Sequence, residues 1–148
     1  METKSKPADL PRRLYRGANI PMRVIRAYAR QIAQRFQPDL IMLFGSYAYG
    51  KPLTDSDVDL LVVMPCRNEL DMSVTITWEL PAPFPMDLLV RKPAEWEWRT
   101  RERESFATEI LTKGKVLYAP GDARMGQKSG VRLAGRRRPR RRVQAVRR

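Results

Sequence analysis

Two short apolar runs, Leu40-Ile41-Met42-Leu43-Phe44 and Val58 to Val63, flank a polar stretch punctuated by Gly45 and Gly50, and this arrangement constrains the fold more than any other feature. The first run is closed by Gly45 and the second is ended by Pro65, so both read as buried strands. A third run, Met86 to Val90, follows the prolines at 81, 83 and 85, which impose an extended linker.

Helical spacing occupies the gaps. Ile25, Tyr28, Ile32 and Phe36 recur at steps of three or four, with Pro21 suited to a first turn and Pro38 ending the helix. Leu70, Val74 and Trp78 predict a second helix between Asn68 and Leu80, although Val74-Thr75-Ile76-Thr77 is a β-branched run that weakens it. A helical pattern resumes near Pro93, with Phe106, Ile110 and Leu111 on one face and Gly114 placed as a C-terminal cap. Lys115 to Ala119 reads as a last short strand. The sequence therefore predicts an α+β fold, a small mixed or antiparallel sheet flanked by helices.

A chain of 148 residues fits one domain plus flexible ends. The domain spans 19–121, with an N-terminal arm over 1–18 and a basic tail over 122–148 that both read as disordered from composition. The net charge of +13 would suggest nucleic acid if it covered the domain. Eleven of the 29 Lys and Arg residues lie after Asp122 with no acid among them, which leaves 18 bases against 16 acids before that point. The domain is nearly neutral, and any nucleic-acid contact falls to the tail, where Arg136 to Arg142 offers phosphate contacts without aromatic residues for stacking. The alternative for the tail is an appendage without function.

The chain contains no histidine, which removes Ser-His-Asp and Cys-His chemistry and histidine-ligated metals together. Its one cysteine, Cys66, excludes an intrachain disulfide framework and any multi-cysteine zinc site, so a reducing compartment, the cytoplasm, is expected. No signal peptide and no apolar run of transmembrane length are read. Carboxylates must carry any metal or base chemistry.

Residues 45 to 59 read Gly-Ser-Tyr-Ala-Tyr-Gly-Lys-Pro-Leu-Thr-Asp-Ser-Asp-Val-Asp. Gly45 and Ser46 give a pliable backbone and a hydroxyl where a strand hands over to a turn or helix, a place where N–H groups bind phosphate oxygens. Asp57 and Asp59, two apart at the head of a strand, project from one face about 7 Å apart by strand rise. Asp87 on a neighbouring strand can face the same cleft. Three hard oxygen ligands with open positions favour Mg²⁺ or Mn²⁺, which keep waters and use substrate phosphates as further ligands. Two such ions about 3.5 to 4 Å apart stabilise the attacking and leaving oxygens of an in-line phosphoryl displacement.

The string resembles the nucleotidyltransferase superfamily that includes DNA polymerase beta, in particular its single-domain minimal nucleotidyltransferases (MNT). The matching residues are Gly45, Ser46, Gly50, Ser56, Asp57, Asp59 and Asp87, and the likeness extends over about residues 20 to 120. The resemblance implies the polymerase beta-type fold. It also implies that Asp57 and Asp59 bind metal, that Asp87 helps bind one ion and activates an acceptor hydroxyl, and that Gly45 and Ser46 contact the triphosphate of ATP. It further implies a partner, since many minimal members are antitoxins paired with a helical HEPN toxin, and some resemble adenylyltransferases that move AMP onto a toxin tyrosine.

Plainer readings stand beside these. Thr54-Asp55-Ser56-Asp57 alone is an ordinary polar turn, and only the joint spacing with Gly45, Ser46 and Asp87 argues against that. Asp87 alone could be an exposed edge residue, Tyr47 and Tyr49 read as packing residues, Lys51 as solvated, Cys66 as an incidental thiol, and at least one of Trp78, Trp96 and Trp98 as core. For function, a small-molecule or RNA-end acceptor, a toxin-binding module without catalysis, and nucleic-acid binding through the tail remain as alternatives.

Overall fold

The apolar runs on either side of the glycine-punctuated stretch pair with each other. In the computed structural model, β1 (Leu40–Phe44) and β2 (Val58–Val63) run antiparallel, with Leu40 opposite Val63 and Phe44 opposite Asp59. The register sets the end of the first run beside the acid at the head of the second. The structure describes Tyr15 and residues 19–53 and 55–121; the arm apart from Tyr15, Thr54 and the tail over 122–148 lie outside the described residues.

On the outer side of β2 lies β3 (Met86–Arg91), parallel to it, and on the outer side of β1 lies β4 (Lys115–Tyr118), antiparallel, giving the order β3-β2-β1-β4. Parallel neighbours cannot be joined by a tight turn, and α3 (Glu69–Glu79) supplies the crossover between β2 and β3. This mixed sheet flanked by helices is the α+β arrangement expected from the sequence.

Strands apolar on both faces need cover on both. One face packs against α1 (Met22–Phe36) and α3, where Ile25, Tyr28, Ile32 and Ile76 meet Ile41, Leu43, Leu60 and Val62. The other packs against α4 (Pro93–Arg101) and α5 (Ser105–Lys113), where Trp96, Ala107 and Ile110 meet Met42, Leu61 and Val63. Each fully buried Ile or Leu contributes on the order of 1.5–3 kcal/mol through area removed from water.

Tyr28 ties α1 to the crossover: its ring stacks edge-on against Phe84 at 5.6 Å, and its hydroxyl donates to Leu80 O at 2.5 Å. Tyr15 packs half-buried against the same cluster, and its N–H donates to Pro83 O at 3.2 Å. The linker with the three prolines is thus pinned from two sides. No helix among the described residues is long and apolar enough to cross a membrane.

Three sequence expectations are changed by packing. Helix α3 forms despite its β-branched run, capped by the Asn68 side chain on the Asp71 N–H at 2.9 Å, with Thr75 and Thr77 hydroxyls donating back to Asp71 O and Ser73 O. The row that suggested the helix, Leu70, Val74 and Trp78, nevertheless faces solvent at 71, 60 and 82% exposure, while Met72, Ile76 and Leu80 turn inward. Both rows are apolar, so periodicity alone cannot rank them.

The helical pattern from Pro93 to Gly114 is two helices. Arg103 takes a left-handed conformation with φ of 58°, and the Glu104 side chain caps α5 by accepting from the Ala107 N–H at 3.2 Å. The Arg101-Glu102-Arg103 stretch has no apolar side chain to hold it on the sheet, so the chain can turn there.

Gly114 does end α5, but in an extended conformation instead of a left-handed one. Its requirement is space: a Cβ would stand 2.5 Å from Ile110 O and 2.8 Å from Leu43 O. Gly114→Ala is therefore expected to destabilise the fold by about 2 kcal/mol through overpacking of β1 against α5, read as a lower urea midpoint at unchanged slope.

Candidate active site

Asp59 is the second residue of β2, and Asp57 lies just before the strand, near enough for its charge to act on Asp59. Val58, Leu60 and Val62 point into the α1 and α3 layer, whereas Asp59, Leu61 and Val63 point to the α4 and α5 side. The parallel register then places Asp87 of β3 directly beside Asp59. β3 is an edge strand, and Asp87 is exposed. The structure thus brings together all three aspartates singled out in the sequence.

The glycine turn meets this acid group at a specific point. Gly45 has φ of 73° and precedes α2 (Ser46–Tyr49), and a Cβ built on it would lie 2.0 Å from Asp59 Oδ2. The backbone of residue 45 occupies the space beside the carboxylate, which only a residue without a side chain allows. Gly45 O accepts the N–H groups of Ala48 and Tyr49 at 2.9 and 3.0 Å, closing the single turn of α2, and Gly50 ends it. Ser56 closes the next loop by accepting the Leu53 N–H on Oγ at 2.7 Å, so its observed work is to shape the approach to Asp57.

Burial, then the charges of Asp87 and Asp57, push the Asp59 carboxyl up to about 6. Burial is the larger cause, and the two neighbouring carboxylates add to it. Among the described residues no group of three or more Asp, Glu or Cys side chains is arranged so that it could hold a metal ion as it stands. An open set of this kind leaves coordination positions to waters and to substrate oxygens, as Mg²⁺ sites at phosphates do. What the three side chains share with a divalent-cation site is donor type, hard carboxylate oxygens.

The sign of the pH effect follows. A carboxyl raised from 3.8 to about 6 in the folded state contributes stability that is complete below 3.8 and is lost as pH rises through about 6. Metal-free protein should therefore melt at a lower temperature at about pH 7 than at about pH 5 as far as this group is concerned, and Asp59→Asn should flatten that difference in parallel thermal scans.

A feature that sequence reasoning missed braces the turn. Tyr49 donates its hydroxyl to Glu109 Oε2 at 3.1 Å, and Lys113 Nζ stands 5.7 Å from its ring centroid. Its hydroxyl pKa is raised by burial foremost, opposed by a backbone hydrogen bond with Gly45. Tyr49 thus links α5 to the turn beside Asp59, a contact across 60 residues that no local pattern signals. Tyr47 is buried, as a packing residue should be; Trp96 is core, while Trp78 and Trp98 are exposed. Cys66 is a free, half-buried thiol, and Lys51 is exposed. A surface hollow of about 390 Å³ lined by Arg67, Asn68, Glu69, Leu70, Lys92 and Glu95 lies at the opposite end of β2 and β3, with Glu69 engaged by Arg91 and the Lys92 N–H. It contains none of the residues of the acid group.

A mixed sheet with carboxylates on adjacent strands and a glycine turn beside them is an α+β domain of the kind a family model can place. The chain belongs to the nucleotidyltransferase domain family, whose model matches residues 25–111. No curated protein matches it by sequence. Among solved structures, similarity is found to a Sulfolobus solfataricus protein designated a nucleotidyltransferase, at 16% identity and a TM-score of 0.49, covering 68% of this chain and 82% of that one. A toxin-antitoxin complex with AMP-PNP gives 21% identity and 0.42, covering 66 and 76%. The complex of tri-AMPylated Shewanella oneidensis HEPN toxin with MNT antitoxin gives 18% and 0.39, covering 67 and 73%. At these values the likenesses carry no argument about substrate or partner.

Proposed function

We propose that the protein is a Mg²⁺-dependent nucleotidyltransferase that moves AMP from ATP to a hydroxyl of a partner protein, acting as the antitoxin of a HEPN/MNT pair. The observation that carries the reaction class is the alignment of Asp59 with Asp87 across β2 and β3, with Asp57 just before β2 and the Gly45 backbone against the Asp59 carboxylate. The protein acceptor rests on the resemblance to minimal nucleotidyltransferases.

Asp57, Asp59 and Asp87 would hold the divalent cations, Mg²⁺ or Mn²⁺. When bound, such ions neutralise phosphate charge and stabilise the entering and leaving oxygens. Gly45 and Ser46 offer backbone N–H groups and a hydroxyl to the triphosphate oxygens. Asp87, open at the sheet edge, takes the proton of the acceptor hydroxyl as that oxygen bonds to the α-phosphorus. The bond from the α-phosphorus to the bridging oxygen breaks, and pyrophosphate leaves with its electron pair. The absence of histidine assigns this proton to a carboxylate.

The test is incubation with labelled ATP, Mg²⁺ and the product of the adjacent gene. Label should appear on that product and fall to background with Asp57→Ala or Asp59→Ala. No transfer, or transfer undiminished in those variants, sinks the proposal.

A further inference from the structure

Helix α2 is a single turn of four residues, too short to keep its place by its own backbone hydrogen bonds. Its position therefore comes from what its side chains reach. Tyr47 and Ala48 are buried and fix its inner side, and Gly45, which leads into it, lies against the Asp59 carboxylate. Tyr49, half-buried, reaches the other way, toward α5.

Tyr49 is attached to the turn and to α5 at once. Its N–H donates to Gly45 O at 3.0 Å, and a backbone hydrogen bond joins its hydroxyl to the same residue. That hydroxyl also donates to Glu109 Oε2 at 3.1 Å, and Lys113 Nζ lies 5.7 Å from the ring centroid. Glu109 and Lys113 stand one turn apart on α5, so one helix offers a carboxylate to the hydroxyl and an ammonium to the ring. The strand that follows α5 pairs with β1, Lys115 opposite Leu43, which sets the end of α5 beside the Gly45 turn. An exposed hydrogen bond of this kind adds little to the stability of the whole fold. What it fixes is where the turn sits relative to α5.

We infer that Tyr49 is a positioning residue for nucleotide binding: Glu109 and Lys113 hold its ring, and the ring holds the Gly45-Ser46 turn where the phosphates of a nucleoside triphosphate meet it. The inference rests on the reading of this site as that of a nucleotidyltransferase. Tyr49 acts through the turn and touches none of the reacting atoms. A turn already set receives phosphates without a further loss of freedom, whereas a loosened one must be ordered as the nucleotide binds. Loss of the Tyr49 to Glu109 bond therefore shows in nucleotide affinity and leaves the fold intact.

The test is calorimetric titration of the full chain with AMP-PNP and Mg²⁺, beside amide hydrogen exchange and thermal scans of the nucleotide-free protein. Tyr49→Phe removes the hydroxyl and keeps the ring, and Glu109→Ala removes its acceptor. Each should raise the dissociation constant about tenfold, and the double variant should be no weaker than either single one, because both side chains act through one bond. Glu109→Gln keeps an acceptor oxygen and should stay within about threefold of the native chain. In the free protein the amides of residues 48 and 49, which donate to Gly45 O, should exchange about tenfold faster in Tyr49→Phe and Glu109→Ala, while the β1 amides and the melting temperature stay native. With labelled ATP the loss should fall on KM for the nucleotide, kcat changing by less than about threefold. Native affinity in Tyr49→Phe, additive losses in the double variant, equal losses in Glu109→Gln and Glu109→Ala, or unchanged exchange at residues 48 and 49 would overturn the inference while the nucleotidyltransferase reading stands. A native chain that binds no AMP-PNP is a different failure: it overturns that reading, and this inference with it, whatever the exchange rates show.

Discussion

Asp59→Ala should lower the rate of nucleotidyl transfer by about a thousandfold or more and, in the same preparation without metal, raise the melting temperature at about pH 7. The two effects have one origin. Asp59 is half-buried, its carboxyl is pushed up to about 6 by burial and by Asp87 and Asp57, and its ionised form is therefore held in the fold against repulsion. Removing the charge relieves the repulsion and removes the donor through which a divalent cation would join the three acids. Asp57→Ala should cost comparable activity with a smaller gain in melting temperature, because Asp57 is exposed. Turnover with Mg²⁺ and thermal scans in chelator measure the pair of quantities. An Asp59→Ala variant that lost activity by unfolding would show a lowered melting temperature, and one that kept turnover would remove Asp59 from the site.

Those two halves of the effect also show what could be read without coordinates. The strands ending at Gly45 and starting at Val58 were legible because they are short apolar runs bounded by Gly and Pro, and the family motif followed from spacing along one segment. The two-residue spacing of Asp57 and Asp59 suggested one strand face, whereas β2 begins at Val58 and Asp57 falls just before it. The side-by-side placement of Asp87 depends on the parallel register of β2 and β3, which is fixed by the α3 crossover, a tertiary fact.

Where the sequence pointed elsewhere, a tertiary contact decided. The outward row of α3, Leu70, Val74 and Trp78, has the same helical spacing as the row that packs, so spacing could not tell which is buried. The break at Arg103 was hidden inside a continuous helical pattern, and the Tyr49 to Glu109 bond joins segments with no local relation. Gly114 was legible as the end of a helix, yet its cause lies in β1, since Leu43 O leaves no room for a Cβ.

Gly45 combines a local and a tertiary requirement, and its substitution gives the second large effect. Gly45→Ala places a Cβ 2.0 Å from Asp59 Oδ2 and 3.0 Å from Asp59 Cγ, in a backbone with φ of 73°. Backbone strain of that kind costs about 1–3 kcal/mol, and the contact must in addition move either the turn or the carboxylate. Transfer should fall about a hundredfold or more, since a displacement near 1 Å at a reacting centre has that consequence. The double variant Gly45→Ala with Asp59→Ala separates the two causes. Truncating Asp59 removes the steric partner, so the double variant should recover the part of the stability loss due to contact while keeping the part due to φ, giving an interaction energy of about 1 kcal/mol or more in a denaturation cycle. Activity should not return, because the carboxylate is gone. Additive stabilities would mean that the Gly45 backbone and the Asp59 carboxylate do not share the space that joins the turn to the acids.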